Sequence, residues 1–369
     1  MPVPALMGGA VEKVWHALGQ EFARHGHAVT HISRRYRELP RSEKADGVEN
    51  IRIAGFDAPR SLLHLKALDL LYSLRARRTL PAADVVVTNT FWLPMLVRNG
   101  SRGKVYVHVA RYPKGQMCFY SHVARFQTVS QPVADAICRE VPTLKEKVRV
   151  IPYPLTGAAS QSSVSLETMR AKRILFVGRI HPEKGLHLLI RAFASLPREK
   201  FADWRLVIAG PAASKYGGGG EDYLEELKSL AQPISDRVEW VGAVFDPAKL
   251  RALYGSAAIF VYPSLAERGE TFGLAPLEAM AQGCIPVVSA LPCFLDYVVD
   301  GVNGVTFDHT VSSPETHLAN KLVMLGSNPE FAASLSQAAL TDSQAFELPR
   351  IASLYLDDFQ SLISGAKTN

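Results

Sequence analysis

The sequence has few cysteines, and none of them is paired in a Cys-x-x-Cys spacing. Two of the four lie in or beside apolar segments, where cysteine is usually a small buried hydrophobe. The four are Cys118, Cys138, Cys284 and Cys293. Their number and spacing argue against a disulfide framework and against a zinc site.

Long apolar runs and clusters of basic residues are missing as well. No stretch of about eighteen consecutive apolar residues occurs, so the sequence predicts no transmembrane helix, and it shows no signal-peptide pattern. Lysine and arginine exceed aspartate and glutamate by six, 41 against 35, without forming a run. This mild excess suits an anionic substrate or a membrane surface and does not call for nucleic acid. We therefore expect a soluble, cytoplasmic protein that can contact the inner face of a membrane.

Strand-like and helix-like segments alternate along the chain, which predicts mostly parallel α/β domains. The length of 369 residues and the apolar content of 47% allow two of them. We place an N-terminal domain at 1–155, a linker rich in Ser and Ala at 156–170, a C-terminal domain at 171–348 and a last helix at 349–369. In a doubly wound domain a strand precedes the first Gly-rich loop, yet only seven residues precede Gly8-Gly9. We expect that strand to be missing or truncated.

Two glutamates eight positions apart flank a Phe-Gly pair and a proline in the stretch ETFGLAPLE. Since Pro276 is favoured in the first turn of a helix, Gly273 is predicted to close a loop and a helix to begin near Ala275. A helix start presents free N–H groups and the positive end of its dipole to phosphate. Glu270 on the loop and Glu278 in the first turn could bind the hydroxyls of a sugar and a ribose. From spacing alone, a solvent-facing and a capping glutamate explain the pattern equally well.

Two cations lie five positions apart on a second loop, Arg179 and Lys184, between a predicted strand at 173–177 and a helix that begins at Gly185. Arginine offers a planar fork to phosphate oxygens, and lysine offers a mobile point charge. Taken alone, the pair is better explained as solvated loop charges. Together with the two glutamates about ninety residues later, it indicates a site for the diphosphate of a nucleotide sugar.

The two loops also carry a resemblance to a known family. Four stretches resemble the family-4 retaining glycosyltransferases (glycosyltransferase group 1), whose signature is Glu, seven residues, Glu. They are, in chain order, GRIHPEKGLHLLIRAF, VIAGP, VEWVGAV and PSLAERGETFGLAPLEAMAQGCIPVV. The resemblance covers residues 170–310 well and the N-terminal half more loosely, through MGGAVEKVWHALGQEFARHGHAVTHIS. It implies a GT-B fold, in which two Rossmann-like α/β/α domains face a deep cleft and the last helix packs toward the N-terminal domain.

The resemblance assigns roles to residues of both halves. It implies that Arg179 and Lys184 hold the donor diphosphate, that Glu270 meets the donor sugar, and that Glu278 meets the ribose. Glu270, Arg179 and Lys184 are also the catalytic residues that it implies in this half of the chain. The other donor-binding positions that it implies are Gly9, Gly242, Phe272, Gly273 and Leu274.

The reacting carbon and the acceptor are assigned less directly. His108, at the end of an apolar strand, matches a catalytic histidine of the family, although a core histidine explains its position equally well. Gly8, Arg111 and Ser130 are the candidates for acceptor contacts.

The sequence departs from the family pattern at two loops. Tyr153-Pro154 stands where the family often has Asn-Gly, so we expect the connection between the domains to be built differently here. LPCFLD (291–296) replaces the family's Gly-Gly-x-x-Glu beside the donor sugar. The identity of the donor sugar therefore stays open.

The resemblance implies a retaining glycosyltransferase that moves a hexose to a hydroxyl of a carbohydrate or lipid-linked acceptor. UDP-glucose as the donor, and a place in polysaccharide or cell-envelope glycan synthesis, are expectations that rest on the family. No Asp-x-Asp motif lies near the site, so we expect no obligatory metal or other cofactor. Phe91, Trp92 and Tyr112 are predicted to be exposed aromatics that suit an acceptor at a membrane face.

Other functions fit parts of the pattern. A nucleotide-sugar epimerase of GT-B architecture would use the same diphosphate site, and a non-catalytic relative would only bind the nucleotide sugar. An NAD-dependent dehydrogenase is disfavoured because Gly8-Gly9 is not part of a G-x-G-x-x-G motif.

Overall fold

A computed structural model describes residues 2–4, 9–37, 39–57, 59, 61–98, 100–156 and 171–365. The chain divides into two compact units, which we call unit 1 (residues 1–156 and 346–369) and unit 2 (residues 157–345). The linker predicted at 156–170 lies outside the described residues except for Thr156, and Gly8 lies outside them too. The domain boundaries drawn from the sequence stay predictions.

The strands follow one another along the chain in this order: β1 (Val29–Arg34), β2 (Ser42–Ala45), β3 (Val48–Ile53), β4 (Val85–Thr88), β5 (Lys104–Val109), β6 (Arg125–Thr128), β7 (Val148–Val150), β8 (Arg173–Val177), β9 (Arg205–Ala209), β10 (Val238–Gly242), β11 (Ile259–Tyr262), β12 (Ile285–Ser289) and β13 (Val305–Phe307).

The α-helices are α1 (Ala10–Arg24), α2 (Leu62–Thr79), α3 (Leu93–Leu96), α4 (Gln131–Glu140), α5 (Leu186–Ala194), α6 (Arg198–Phe201), α7 (Glu221–Ala231), α8 (Pro247–Gly255), α9 (Leu274–Met280), α10 (Pro314–Ser327), α11 (Pro329–Ser343) and α12 (Leu348–Ser364). Among the described residues, none of the helices combines the length and the apolar character that crossing a bilayer requires.

Unit 1 contains two separate sheets. One has the order β1-β3-β2, with β1 parallel and β2 antiparallel to β3, and the other is the parallel sheet β4-β5-β6-β7. Within the part of the chain that the structure describes, no strand precedes α1, and no strand pairing joins the two sheets. The apolar residues of α1 recur at helical spacing and bury one face, through Val14, Leu18 and Phe22.

The last helix, α12, belongs to unit 1. The ring of Phe359 packs edge-on against Phe22 of α1, at 5.8 Å between centroids, and against Tyr106 of β5, at 5.0 Å. Asp358 forms a buried ion pair with Arg125 of β6, at 2.7 Å between Nη2 and Oδ1, and accepts a hydrogen bond of 2.9 Å from Tyr106. These contacts attach α12 to α1 and to the parallel sheet.

Unit 2 is built on one parallel sheet with the order β10-β9-β8-β11-β12-β13. Every residue of β11 and β12 is buried, as expected for parallel strands covered by helices on both faces. From β8 the chain adds strands β9 and β10 on one side of the sheet, and β11, β12 and β13 then follow on the other side. The gap between the carboxyl ends of β8 and β11 is thus a topological switch point, the place where α/β sheets of this kind bind ligands.

Candidate functional site

The two loops singled out in the sequence follow the two strands at the switch point. Residues 178–185 leave β8, and residues 263–273 leave β11. The loops touch at Gly185, where a side-chain Cβ would lie 1.9 Å from the carbonyl oxygen of Pro263 and where φ is +66°. Only glycine permits both that close approach and that backbone conformation.

Lys184 and Glu270 are in direct contact in this structure. Lys184 Nζ donates to Glu270 Oε1, and the two residues are only 5% and 7% exposed. Tyr262 Oη and Ser264 Oγ donate to the same carboxylate oxygen, at 3.2 and 3.1 Å. Burial and the Glu270 carboxylate raise the pKa of Tyr262 well above its ordinary value, so its hydroxyl stays a donor. The carboxylate is therefore held by one cation and two hydroxyls.

Arg179 is closer to solvent than Lys184 and is held by two contacts. Its Nη2 pairs with Glu183 Oε1 at 2.8 Å, and its Nη1 donates to the carbonyl oxygen of Gly217 at 2.7 Å. Gly217 begins the four-glycine run, which is tied back to the same loop because Gly219 N donates to Ile180 O at 2.8 Å. The guanidinium is thus placed beside the loop with part of its surface open to a ligand.

Gly273 and Glu278 are placed by α9. Gly273 precedes the helix with φ of +80°, and a Cβ there would lie 2.4 Å from Phe294 Cε1. Because α9 begins at Leu274, one residue before the predicted start, Glu278 is its fifth residue and lies about one residue beyond the first turn in which it was predicted. Its Oε2 accepts a hydrogen bond of 3.2 Å from Tyr254.

The loop that departs from the family pattern supplies the packing under Gly273. Cys293 and Phe294 are buried, and the Phe294 ring meets Tyr262 edge-on at 5.9 Å. Tyr297 donates to the carbonyl oxygen of Gly273 at 2.8 Å. This loop therefore fixes the backbone of Gly273 through aromatic side chains.

The remaining donor candidates lie around these groups or in the other unit. Phe272 is buried, Leu274 is half-buried, and the carbonyl oxygen of Gly242, at the end of β10, accepts a hydrogen bond of 2.8 Å from Gly210 N. Gly9 precedes α1 of unit 1, with φ of +112°.

His108 is buried in unit 1 with both ring nitrogens engaged. Its Nδ1 donates to Gln127 Oε1 at 2.6 Å, and its Nε2 accepts from Tyr153 Oη at 3.3 Å. Burial lowers the pKa of His108 to about 4, although the hydrogen bond with Gln127 acts in the opposite direction. The imidazole is therefore neutral near pH 7, and the catalytic role stays a prediction.

The acceptor candidates differ in accessibility. Arg111 is exposed. Ser130 is buried, directly before α4, and its hydroxyl has no hydrogen-bond partner among the described residues. Gly8 is outside the described part of the chain. The described residues hold no cluster of three or more His, Cys, Asp or Glu side chains placed to bind a metal ion.

The residues that hold Glu270, Glu278 and Arg179 in place were missed in the sequence. They are Glu183, Gly217, Tyr254, Tyr262 and Ser264. Ser264 could have been found, because it lies in the same PSLAERGE stretch as Glu270. Tyr262 and Tyr254 could not, since their roles depend on which strands and helices are neighbours.

The buried histidines of unit 1 predict a pH dependence of stability. Burial lowers the pKa of both His108 and His31 to about 4, below the ordinary value of 6.5 that holds in the unfolded chain. Between these pH values the unfolded state binds more protons, so the free energy of unfolding should fall as the pH drops from 6.5 toward 4. Urea unfolding at pH 7.5, 6 and 5 measures this slope.

His108→Gln should flatten that slope, and His27→Gln, at an exposed position outside the core, is the control. A free energy of unfolding that does not change between pH 7.5 and 5, or a slope that His108→Gln leaves intact, would contradict the assignment of a neutral buried imidazole.

The sequence and the fold of this chain are similar to those of known glycosyltransferases. Residues 160–342 match the family described as glycosyl transferases group 1. The chain is 27% identical over 340 residues to the uncharacterized glycosyltransferase MJ1607 of Methanocaldococcus jannaschii, with 82% of each chain covered. It is 29% identical over 189 residues, half of each chain, to the lipopolysaccharide core biosynthesis mannosyltransferase LpcC of Rhizobium leguminosarum. HepE of Anabaena in complex with UDP superposes with a TM-score of 0.69 at 20% identity, over 97% of both chains.

Proposed function

Since the chain belongs to the glycosyl transferases group 1 family and has the GT-B fold with two Rossmann-like units, we propose that it is a retaining glycosyltransferase that moves a hexose from a nucleotide sugar to a hydroxyl acceptor. One observation carries the proposal. A buried cation and a buried carboxylate, Lys184 and Glu270, meet at the switch point of unit 2, with Arg179 and Glu278 on the flanking segments. The two cations suit the phosphates of a donor, and the two carboxylates suit the hydroxyls of its sugar and its ribose.

The donor takes over contacts that these residues now make with one another. Lys184 and Arg179 bind the diphosphate, while Glu270 accepts hydrogen bonds from the sugar hydroxyls. The two cations, more than the helix dipole, hold the phosphates, because α9 has only seven residues. UDP-glucose is the donor we favour, and the UDP bound to the similar structure HepE supports the choice of uridine.

The place of Glu270 argues against a covalent sugar intermediate on this residue. A carboxylate that binds sugar hydroxyls is not free to attack the anomeric carbon. We therefore propose attack from the same face, in which the leaving phosphate oxygen accepts the proton of the acceptor hydroxyl. Lys184 and Arg179 stabilise the negative charge that develops on the leaving diphosphate. His108 and Gly9, in unit 1, are proposed to act on the reacting sugar and the donor phosphates.

A panel of UDP-, GDP- and ADP-sugars tests this function. The donor that raises Tm should also be consumed, with release of nucleoside diphosphate and a gain of one sugar by a component of a lipid or glycan extract. An epimerised sugar with no gain by any acceptor would favour the epimerase, and binding without turnover would favour a binding protein. If no nucleotide sugar binds, the proposed function is wrong.

We further propose that the acceptor is a lipid-linked sugar at a membrane face, in polysaccharide or envelope glycan synthesis. Phe91, Trp92 and Tyr112 are only partly exposed, which corrects the expectation from the sequence. The first turns of α2 instead expose leucines, with Leu62 at 73% and Leu63 at 81%.

The charges of α2 also suit an anionic membrane. Its exposed basic residues are Lys66, Arg77 and Arg78. Its only acidic residue, Asp69, accepts a hydrogen bond of 3.2 Å from Phe91 N and is not fully exposed. Exposed leucines insert into a membrane interface, and exposed cations pair with lipid phosphates.

The double variant Leu62→Ser/Leu63→Ser should therefore bind anionic vesicles at least about tenfold more weakly, since burying one leucine side chain contributes about 1.5–3 kcal/mol. Co-sedimentation with vesicles of phosphatidylglycerol and phosphatidylcholine measures the change. Leu354→Ser, at an exposed leucine of α12, is the matched control. Equal binding of the double variant and the wild type, or no binding of either, would exclude α2 as the membrane contact.

A further inference from the structure

Tyr254 is a buried tyrosine whose only polar side-chain atom points at the proposed ribose-binding group. It lies on α8, it is 1% exposed, and its hydroxyl donates to Glu278 Oε2 at 3.2 Å. Its ring meets Phe260 edge-on at 5.7 Å, and its carbonyl oxygen accepts from Cys284 Sγ at 2.8 Å. Both the ring and the backbone are therefore fixed, and the hydroxyl has a defined position.

In the hydrogen bond between Tyr254 and Glu278, the tyrosine is the donor. Burial, and after it the Glu278 carboxylate, raise the pKa of Tyr254 well above its ordinary value. The phenol therefore keeps its proton and donates, while the carboxylate accepts. A donor that takes one lone pair of Oε2 limits rotation of the carboxylate about its last torsion, which is otherwise broad. The two oxygens of Glu278 are then held in one plane relative to α9.

A ribose presents two neighbouring hydroxyls, and a carboxylate binds both only when its two oxygens face them together. We propose that Tyr254 is a positioning residue that makes nucleotide binding selective for ribose, by holding the Glu278 carboxylate in the plane that accepts both hydroxyls. This inference rests on the proposed function, which places the donor ribose on Glu278.

Tyr254→Phe removes the hydroxyl and keeps the packed ring. The variant should bind UDP about tenfold more weakly, the size expected when a carboxylate that is no longer held in plane loses one of its two hydrogen bonds from the ribose. Its affinity for 2′,3′-dideoxy-UDP should stay that of the wild type, because this nucleotide makes no use of the ribose site. The ratio of the Kd for the dideoxy nucleotide to the Kd for UDP should therefore fall about tenfold in this variant.

Calorimetric titration of both nucleotides into wild type, Tyr254→Phe and Glu278→Gln measures that preference. Tyr355→Phe is the control for a buried tyrosine, because its hydroxyl has no hydrogen-bond partner among the described residues of unit 1. If the donor panel selects guanosine or adenosine, the matching nucleotide pair is used.

The outcomes separate this inference from the function on which it rests. A preference lost in both Tyr254→Phe and Glu278→Gln supports the positioning role. A preference lost only in Glu278→Gln, or an equal loss of affinity for both nucleotides in Tyr254→Phe, overturns this inference alone. No preference in the wild type would overturn this inference together with the proposed ribose contact of Glu278. If the wild type binds no nucleoside diphosphate, the proposed function falls and this inference with it.

Discussion

Sugar transfer by the Glu270→Gln variant is expected to fall about a hundredfold or more, because a misplaced donor sugar loses that much rate. Glutamine keeps an oxygen that Tyr262, Ser264 and Lys184 can still contact, so the fold should survive. The variant loses the negative charge that binds the sugar hydroxyls and balances Lys184. Initial rates of nucleoside diphosphate release measure the loss, and Tm checks the fold.

Glutamine is a cleaner replacement than alanine at this position. Both substitutions remove the anion of Lys184, but Glu270→Ala would also leave Lys184 and two buried hydroxyls without an acceptor oxygen. Each buried donor left without a partner costs about 1–3 kcal/mol of stability. Lys184→Met tests the cation in the same way. Glu267→Gln, an exposed glutamate on the same loop, is the matched control. Full activity in both Glu270→Gln and Lys184→Met would exclude the site described for unit 2.

The Asp358→Ala variant is expected to lower the free energy of unfolding of unit 1 by about 3–5 kcal/mol, the cost of leaving one charge of a buried pair without its partner. Arg125 is only 6% exposed at its side chain and donates to both carboxylate oxygens, through Nη2 at 2.7 Å and Nε at 3.1 Å. Tyr106 would lose its acceptor as well. Denaturant unfolding followed by circular dichroism measures the loss.

Asp357 offers a close control, since it is the preceding residue on α12 and is exposed. Asp357→Ala should change the free energy of unfolding by no more than about 0.5 kcal/mol, as surface substitutions usually do. Equal stability of Asp358→Ala and Asp357→Ala would contradict the view that the ion pair attaches α12 to the sheet.

The fold was predictable from the sequence where the signal is local. Short apolar runs such as Ile259–Tyr262 and Ile285–Ser289 favour buried strands over helices, because they are only four or five residues long and rich in β-branched and aromatic residues. The strand Ser42–Ala45 was missed, because its side chains are mostly polar and its place is set by backbone pairing with Val48–Ile53. Nothing in four such residues distinguishes an edge strand from a loop.

The candidate site divides in the same way. Arg179, Lys184, Glu270 and Glu278 could be proposed from the sequence because both charged pairs follow predicted strands and because the two loops resemble those of a known family. Their mutual contacts depend on tertiary neighbours: Lys184 reaches Glu270 only because β8, which precedes Lys184, lies next to β11, which precedes Glu270. The error of one residue at Glu278 came from placing the helix start from Pro276 alone, whereas α9 already begins at Leu274.

A crystal structure with the nucleotide sugar that raises Tm most tests the central claim most directly. The account predicts diphosphate oxygens within about 3 Å of Lys184 Nζ and of the Arg179 guanidinium, the distance of charge-assisted hydrogen bonds. It predicts sugar hydroxyls on Glu270 and ribose hydroxyls on Glu278. A donor whose diphosphate lies away from both cations would contradict it.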